Sequence, residues 1–332
     1  MGAALLGLTA CSNDIEERSD APTELRLTTE MEVAQDSGGA SRVSRTRSVA
    51  NPQTTQFSNN KLIDVFISEN NPGTVISSYD QPLKARADGN GNLTFRNSGN
   101  TQNFPQYWPT SGNGVNIYAW YPDNVAGTDI TATTKTFTVQ TNQHGDITTS
   151  DLMFGEPKKD DKTTTANPVA RTKMVTSQTV PLTFVHLLSK LKVVLTPGTG
   201  SISTDKLKKA QITIGDVKTG VTLNNLKTGQ VTTRTGASDP KGTVTILDGT
   251  QDETTGYAII PAQNLNGVTI TVKLADSVDG TVYKLTLDNT YALDAGKMHT
   301  YTIKVNLTEL KVSSTITDWA AGTNKTVETV QN

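Results

Sequence analysis

The stretch "VTITVKLADSVDGTVYKLTLDNTYALDAGKMHTYTIKVNL", residues 268–307, carries the fold in its spacing. Val268, Ile270, Val272 and Leu274 alternate with Thr and Lys; Tyr283, Leu285 and Leu287 do the same, and Tyr301, Ile303, Val305 and Leu307 repeat it. Successive strand residues point to opposite faces, so a period of two marks a strand with one buried face, whereas a helix spaces its apolar residues three and four apart. Turn-forming Asp, Asn and Gly separate the runs every 8 to 12 residues or so, the rhythm of antiparallel β-sandwiches.

The same punctuation extends upstream. "LIDVFI" (62–67), "VNIYAWY" (115–121) and "KTFTVQT" (135–141) are divided by "DGNGN" (88–92) and "TSGNG" (110–114), clusters that suit turns. "FVHLLSKLKVVL" (184–195) also fits a helix, with Leu187, Leu188, Leu191, Val194 and Leu195 near helical spacing. Its β-branched and aromatic Phe184, Val185, Val193 and Val194 instead predict one long strand. "TPGTGS" follows at 196–201. A chain of 332 residues with 34% hydrophobic content buries a sizeable core and suits two β domains, placed at 48–197 and 198–332. The polar run "GEPKKDDKTTTANPVARTK" (155–173) is expected to be a solvated connection within the first.

The N-terminal region has another character. Cys11 is the sole cysteine, so it forms neither an intramolecular disulfide nor a metal pair. It follows "MGAALLGLTA", which is too short to span a bilayer, a task needing about 20 residues, and which suits the end of a secretion signal starting further upstream. Leu8-Thr9-Ala10-Cys11 resembles a lipobox, where cleavage before Cys leaves an N-terminal cysteine for acylation. Acyl chains favour the membrane by about 0.8 kcal/mol per buried CH₂, so an acylated Cys11 would anchor the chain without a transmembrane helix. The polar, acidic "SNDIEERSDAPT" (12–23) reads as a tether. In "ELRLTTEMEV" (24–33), Leu25, Leu27, Met31 and Val33 share one parity, predicting an isolated half-buried strand. Behind it the Gly/Ser-rich "AQDSGGASRVSRTRSVANPQ" (34–53) carries Arg42, Arg45 and Arg47, an exposed target for proteolysis.

Charge and motifs exclude several function classes. With 30 Lys and Arg against 32 Asp and Glu, the net charge is -2, and no basic field exists to hold nucleic acid. G-x-S-x-G, H-E-x-x-H and Walker A sequences are missing, and His144, His186 and His299 fall in different predicted elements. Asp88 opens a calcium-like run, but Leu93 stands where an EF-hand loop needs Gly and Gly99 where it needs Glu, so a hairpin is expected. "KKDD" (158–161) reads as a solvated charge run, and His186 as a hydrogen-bonded core residue. Tyr107, Trp108, Trp120 and Tyr121 suit a core edge better than a sugar-stacking platform. No catalytic residue, cofactor site or metal site is assigned.

The order of the motifs resembles that of the Bacteroidales fimbrillins, of major or minor fimbrial pilin type. It comprises the lipobox, the detached strand and the arginine loop, then "DLMFG" (151–155), "PLTFVHLLSKLKVVL" (181–195), "GYAIIPAQ" (256–263), "AGKMHTYTIKVNL" (295–307) and "ITDWAAG" (316–322). The resemblance implies tandem transthyretin-like sandwiches, export as an outer-membrane lipoprotein acylated at Cys11, and passage to a surface fimbrium. It also implies trypsin-like cleavage after Arg47, Arg45 or Arg42, which releases residues 11–47 with the strand. If Leu25, Leu27, Met31 and Val33 are buried, their loss exposes a groove worth about 6 to 12 kcal/mol as an upper estimate. "ELKVSSTITDW" (309–319) offers a donor strand for the next subunit, with Leu310, Val312 and Ile316 on one parity and Trp319 beyond. The implied partners are other fimbrial subunits, an Arg-specific protease and a host or bacterial adhesion target. A tip adhesin and a surface polysaccharide-binding lipoprotein share enough of these features to stand as alternatives.

Overall fold

The computed structural model describes residues 22–31, 56–70, 82–97, 99–123, 125, 135–161, 163–173, 175–198, 202–275, 280–306, 309–319 and 329–330. Cys11, Val33, Arg42, Arg45 and Arg47 lie outside them. The first part of the chain forms β1 (Glu24–Met31), β2 (Leu62–Glu69), β3 (Leu83–Ala87), β4 (Asn92–Arg96), β5 (Gln106–Tyr107), β6 (Val115–Tyr121), β7 (Lys135–Thr138), β8 (Met153–Glu156) and β9 (Ser177–His186). Then come β10 (Ser189–Pro197), the single helical turn α1 (Thr204–Leu207), β11 (Gln211–Lys218), β12 (Gly220–Asn225), β13 (Gln230–Thr233), β14 (Lys241–Asp248) and β15 (Thr255–Ile260). β16 (Gln263–Asn264), β17 (Thr269–Lys273), β18 (Val282–Thr286), β19 (Ala292–Leu293), β20 (Lys297–Val305), β21 (Leu310–Asp318) and β22 (Thr329–Val330) complete the series.

Alternation in sequence becomes alternation in burial. β17 sinks Ile270 and Val272, and β20 sinks Tyr301, Ile303 and Val305, while intervening Thr and Lys face outward. The sheets β15-β10-β20-β21-β22 and β14-β11-β17-β18 cover one core, to which β10 gives Leu191, Val193 and Leu195 and β11 gives Ile212 and Ile214. This is the two-layer solution for sheets with one apolar face. The amino-terminal strands form a larger sheet ordered β4-β3-β2-β6-β8-β9-β1-β5, and β4 pairs again with β1, so the ladder closes on itself. Ile63, Val65, Ala85, Val115, Ile117, Leu182 and Phe184 fill its interior.

The all-β expectation is met, with particulars that local pattern does not carry. β1 runs parallel to β9 and β10 parallel to β20. Neither pair is joined by a hairpin, so nothing local imposes antiparallel pairing. The single long strand expected across 184–195 is two strands in two sheets, β9 and β10, parted at Leu187 and Leu188. Leu187 N donates to Leu152 O at 2.9 Å, Gly296 N donates to Leu188 O at 2.8 Å, and the Leu188 side chain enters a third core. The backbone therefore stays bonded while it changes sheets.

That third core lies along the seam between the large sheet and the later strands, and joins Phe66, Trp120 and Phe154 to Val221, Leu223, Leu226, Ile259 and Trp319. Trp120 Nε1 donates to Leu226 O at 3.0 Å. Gly229, at φ 67°, sits where a Cβ would come within 2.7 Å of the Phe154 ring, so both its conformation and its neighbour require glycine. β7 pairs with β12 rather than with the large sheet. The buried Gln143 amide imitates a strand residue, accepting from Ile259 N at 2.7 Å and donating to Ile259 O at 2.9 Å.

Candidate functional site: the seat of the first strand

β1 follows its alternation closely. Leu25, Leu27 and Met31 are buried, Arg26 and Glu30 are exposed, and Thr29 turns inward with them. The parallel register with β9 runs unbroken from Glu24 opposite Ser177 to Met31 opposite Phe184. On the other flank the pairing is sparse: Leu27 and Thr28 oppose Leu93 and Asn92 of β4, and Glu24 and Leu25 oppose Tyr107 and Gln106 of β5. A groove of about 410 Å³ lies alongside, bordered by Arg26, Thr28, Thr94, Asn103 and Pro105. β1 thus occupies a slot between β9 and β4 that closes the large sheet, bonded strongly on one side and partially on the other.

Both ends of the slot are held by groups not evident from periodicity. Thr23 Oγ1 donates to Val175 O at 2.8 Å and accepts from Arg171 Nη2 at 2.7 Å, while Trp108 N donates to Thr23 O at 2.9 Å. At the other end Thr29 N donates to Gly91 O at 2.7 Å. Gly91, at φ 95°, lies in the β3–β4 hairpin turn, where a Cβ would fall 2.9 Å from Gln56 Nε2. Asp88 organises that turn, accepting from the backbone NH groups of Asn90 and Asn92 and from the Asn92 amide; the Asn92 amide bond and these NH bonds lower its carboxyl below the usual range.

The candidate donor residues lie in β21 and just after it. β21 is antiparallel to β20 along its whole length, and β22 adds a short ladder at Ser313 and Ser314. Leu310 and Val312 are buried in the core of that sandwich, while Ile316 is 36% exposed. Trp319 is buried at the seam and lies flat on His186, with ring centroids 3.8 Å apart. Leu25, Leu27 and Met31 are therefore gathered in the large sheet's core, and Leu310, Val312 and Trp319 are divided between the other two.

The remaining singled-out residues are distributed as follows. Trp108, Trp120 and Tyr121 are buried, and Tyr107 alone of that aromatic group is largely exposed, at 45%. His186 Nδ1 is 2.8 Å from Asp151 Oδ1, His144 lies between Asp248 and Glu253, and His299 accepts from Asp294 N. Among the described residues no helix is long and apolar enough to cross a membrane.

A family model described as fimbrillin-like matches residues 46–319. A comparison with curated proteins gives no match. Among solved structures, a candidate cell adhesion protein from Bacteroides uniformis aligns at TM-score 0.63 and 18% identity, over 91% of this chain and 99% of that one. Another from Bacteroides ovatus aligns at TM-score 0.64 and 16% identity, over 90% and 98%. At these identities the likeness is one of fold.

Proposed function

Because the chain belongs to the fimbrillin-like family, we propose that it is a structural subunit of a surface fimbria, exported as a lipoprotein through Cys11. In this reading, cleavage after Arg47, Arg45 or Arg42 activates it, and a neighbour's strand takes the place of its own β1. The observation that carries this is the seat of β1. The strand is inserted between β9 and β4, precedes the family match that begins at residue 46, and reaches the next described residue only through residues 32–55.

Physical chemistry supports the exchange. Burial of Leu25, Leu27 and Met31 is worth about 1.5 to 3 kcal/mol each, so an emptied slot presents an apolar groove flanked by unpaired edges. An extended segment of another subunit covers both by strand addition, and a head-to-tail contact that does not close builds a fibre. While β1 is covalently joined, the slot is filled from within and competes with any donor at high effective concentration. The donor is assigned to residues 308–332. Leu310 and Val312 are already buried in their own sandwich, so donation by β21 must first break that packing and is slow.

The test compares the intact protein, the trypsin-cleaved protein, Arg42→Ala/Arg45→Ala/Arg47→Ala under the same protease, and chains ending at 307 and 319. Size-exclusion chromatography and electron microscopy should find polymer only after cleavage, none with the triple variant, and none with cleaved protein lacking 308–332. The chain ending at 319 keeps β21 and with it the donor residues, so polymer from it, beside a monomer ending at 307 that still melts cooperatively, separates loss of the donor from loss of folding. Fibres of full length from both truncated chains would remove the C-terminal donor, and fibres from the triple variant would remove the loop as the switch.

A further inference from the structure

His186 at the end of β9, Lys190 in β10 and Trp319 after β21 converge on one cavity of about 90 Å³. Met31, the last residue of β1, forms part of its wall together with Phe57, Tyr121 and Lys61. Lys190 is fully buried, and its Nζ has no hydrogen-bond acceptor. The ammonium lies 5.1 Å from the centre of the Tyr257 ring and 5.8 Å from that of Trp319. Ring faces compensate a buried charge only in part, and buried ammonium groups are as a rule paired.

The surroundings define what would complete the pairing. Asp151 is the acidic group of the cavity wall, and its carboxylate is engaged by His186 Nδ1. Lys61, which donates to Thr148 Oγ1 at 2.7 Å, adds a second cation to the wall. Two lysines and a histidine thus face one carboxylate, with aromatic and thioether surface between them. The volume suits a few waters or an organic acid of about two or three carbons. We propose that this cavity binds a small carboxylate anion, whose oxygens accept from the Lys190 ammonium and whose carbon end packs among Phe57, Tyr121 and Trp319.

Burial pulls the Lys190 ammonium down to about 8, with Asp151 opposing and Lys192 adding to the fall. It therefore remains mostly charged at neutral pH, and a bound carboxylate would raise it again. The proposal concerns the chain with β1 in place and is independent of cleavage or polymerisation.

Full-length protein carrying lysine ¹³C-labelled at Cε reports the site by nuclear magnetic resonance, with the Lys190 signal assigned by its loss in Lys190→Met. Sodium acetate, exchanged for chloride at constant ionic strength, should shift that signal saturably, leave exposed Lys241 unmoved, and raise the Lys190 midpoint. Affinity should fall about tenfold per pH unit above the Lys190 midpoint. Lys190→Met should bind acetate about 10- to 100-fold more weakly, the range for losing a charged hydrogen bond. If that variant fails to fold, the wild-type signal and its pH dependence decide. A Lys190 signal indifferent to acetate and propionate, or moved equally by chloride, overturns the proposal.

Discussion

At the scale of single residues, Lys190 and Gly229 are the positions where local chemistry and tertiary surroundings conflict most. The folded Lys190 midpoint near 8 lies below its unfolded value of 10.5, so between these pH values the unfolded chain binds the extra proton. Wild-type stability therefore rises with pH across that window, by about 3 kcal/mol in total. In chloride buffer Lys190→Met should be more stable than wild type by up to about that amount at pH 7, and the difference should vanish by pH 10.5. Burial raises Tyr121 to about 12 and Tyr301 higher still, but both proteins share these terms and they cancel. Guanidinium denaturation at pH 7 and 10 measures the change, and a gap of the same size at both pH values would refute the account. Gly229→Ala must place a methyl against Phe154 at positive φ, and should lower stability by about 1 to 3 kcal/mol in the same assay.

At the scale of elements, β1 stands apart because one flank is a continuous ladder and the other is two short contacts. Leu27→Ala removes a fully buried side chain and should cost about 2 to 5 kcal/mol. The loss should fall first on local release of β1 rather than on the whole fold, since residues 24–31 can leave without breaking the core around β10, β11 and β20. Hydrogen exchange should show β1 amides losing protection while those of β20 keep theirs. Equal loss in both would mean that β1 is integral to global unfolding. β21 offers the contrast: it is bonded along nine residues and contributes Leu310 and Val312 to a core, so Val312→Ala should lower protection throughout the second sandwich.

For the whole molecule, the third core decides cooperativity. It draws on β2, β6 and β8 from one side and β12, β15 and Trp319 from the other, and Gln143 pins the intervening segment to Ile259. Separate unfolding of the two parts would expose this seam to water on both sides. One calorimetric transition is therefore expected, with matching van't Hoff and calorimetric enthalpies. Trp120→Ala, which empties the seam and frees Leu226 O, should cost about 3 to 5 kcal/mol and split or broaden that transition. Two transitions in the wild type would show that the seam does not couple the parts.

Sequence by itself determined the secondary-structure class, because the period of two in β17, β18 and β20 and in β1 is a local property that burial on one face demands. It also determined the parity of Leu25, Leu27 and Met31, the hairpin at Asp88, the hydrogen-bonded character of His186, and the burial of Trp108, Trp120 and Tyr121. What only the tertiary structure decided was which edges meet. Parallel pairing of β1 with β9 and of β10 with β20 joins segments far apart in the chain, and no pattern within either strand encodes its partner. The break at Leu187 and Leu188 escaped the sequence because an apolar run reads the same whether it serves one sheet or passes between two. The convergence of His186, Lys190 and Trp319 depends on that break and on the path of β21. Periodicity reports which face a residue turns inward, and only the packed chain sets what that face meets.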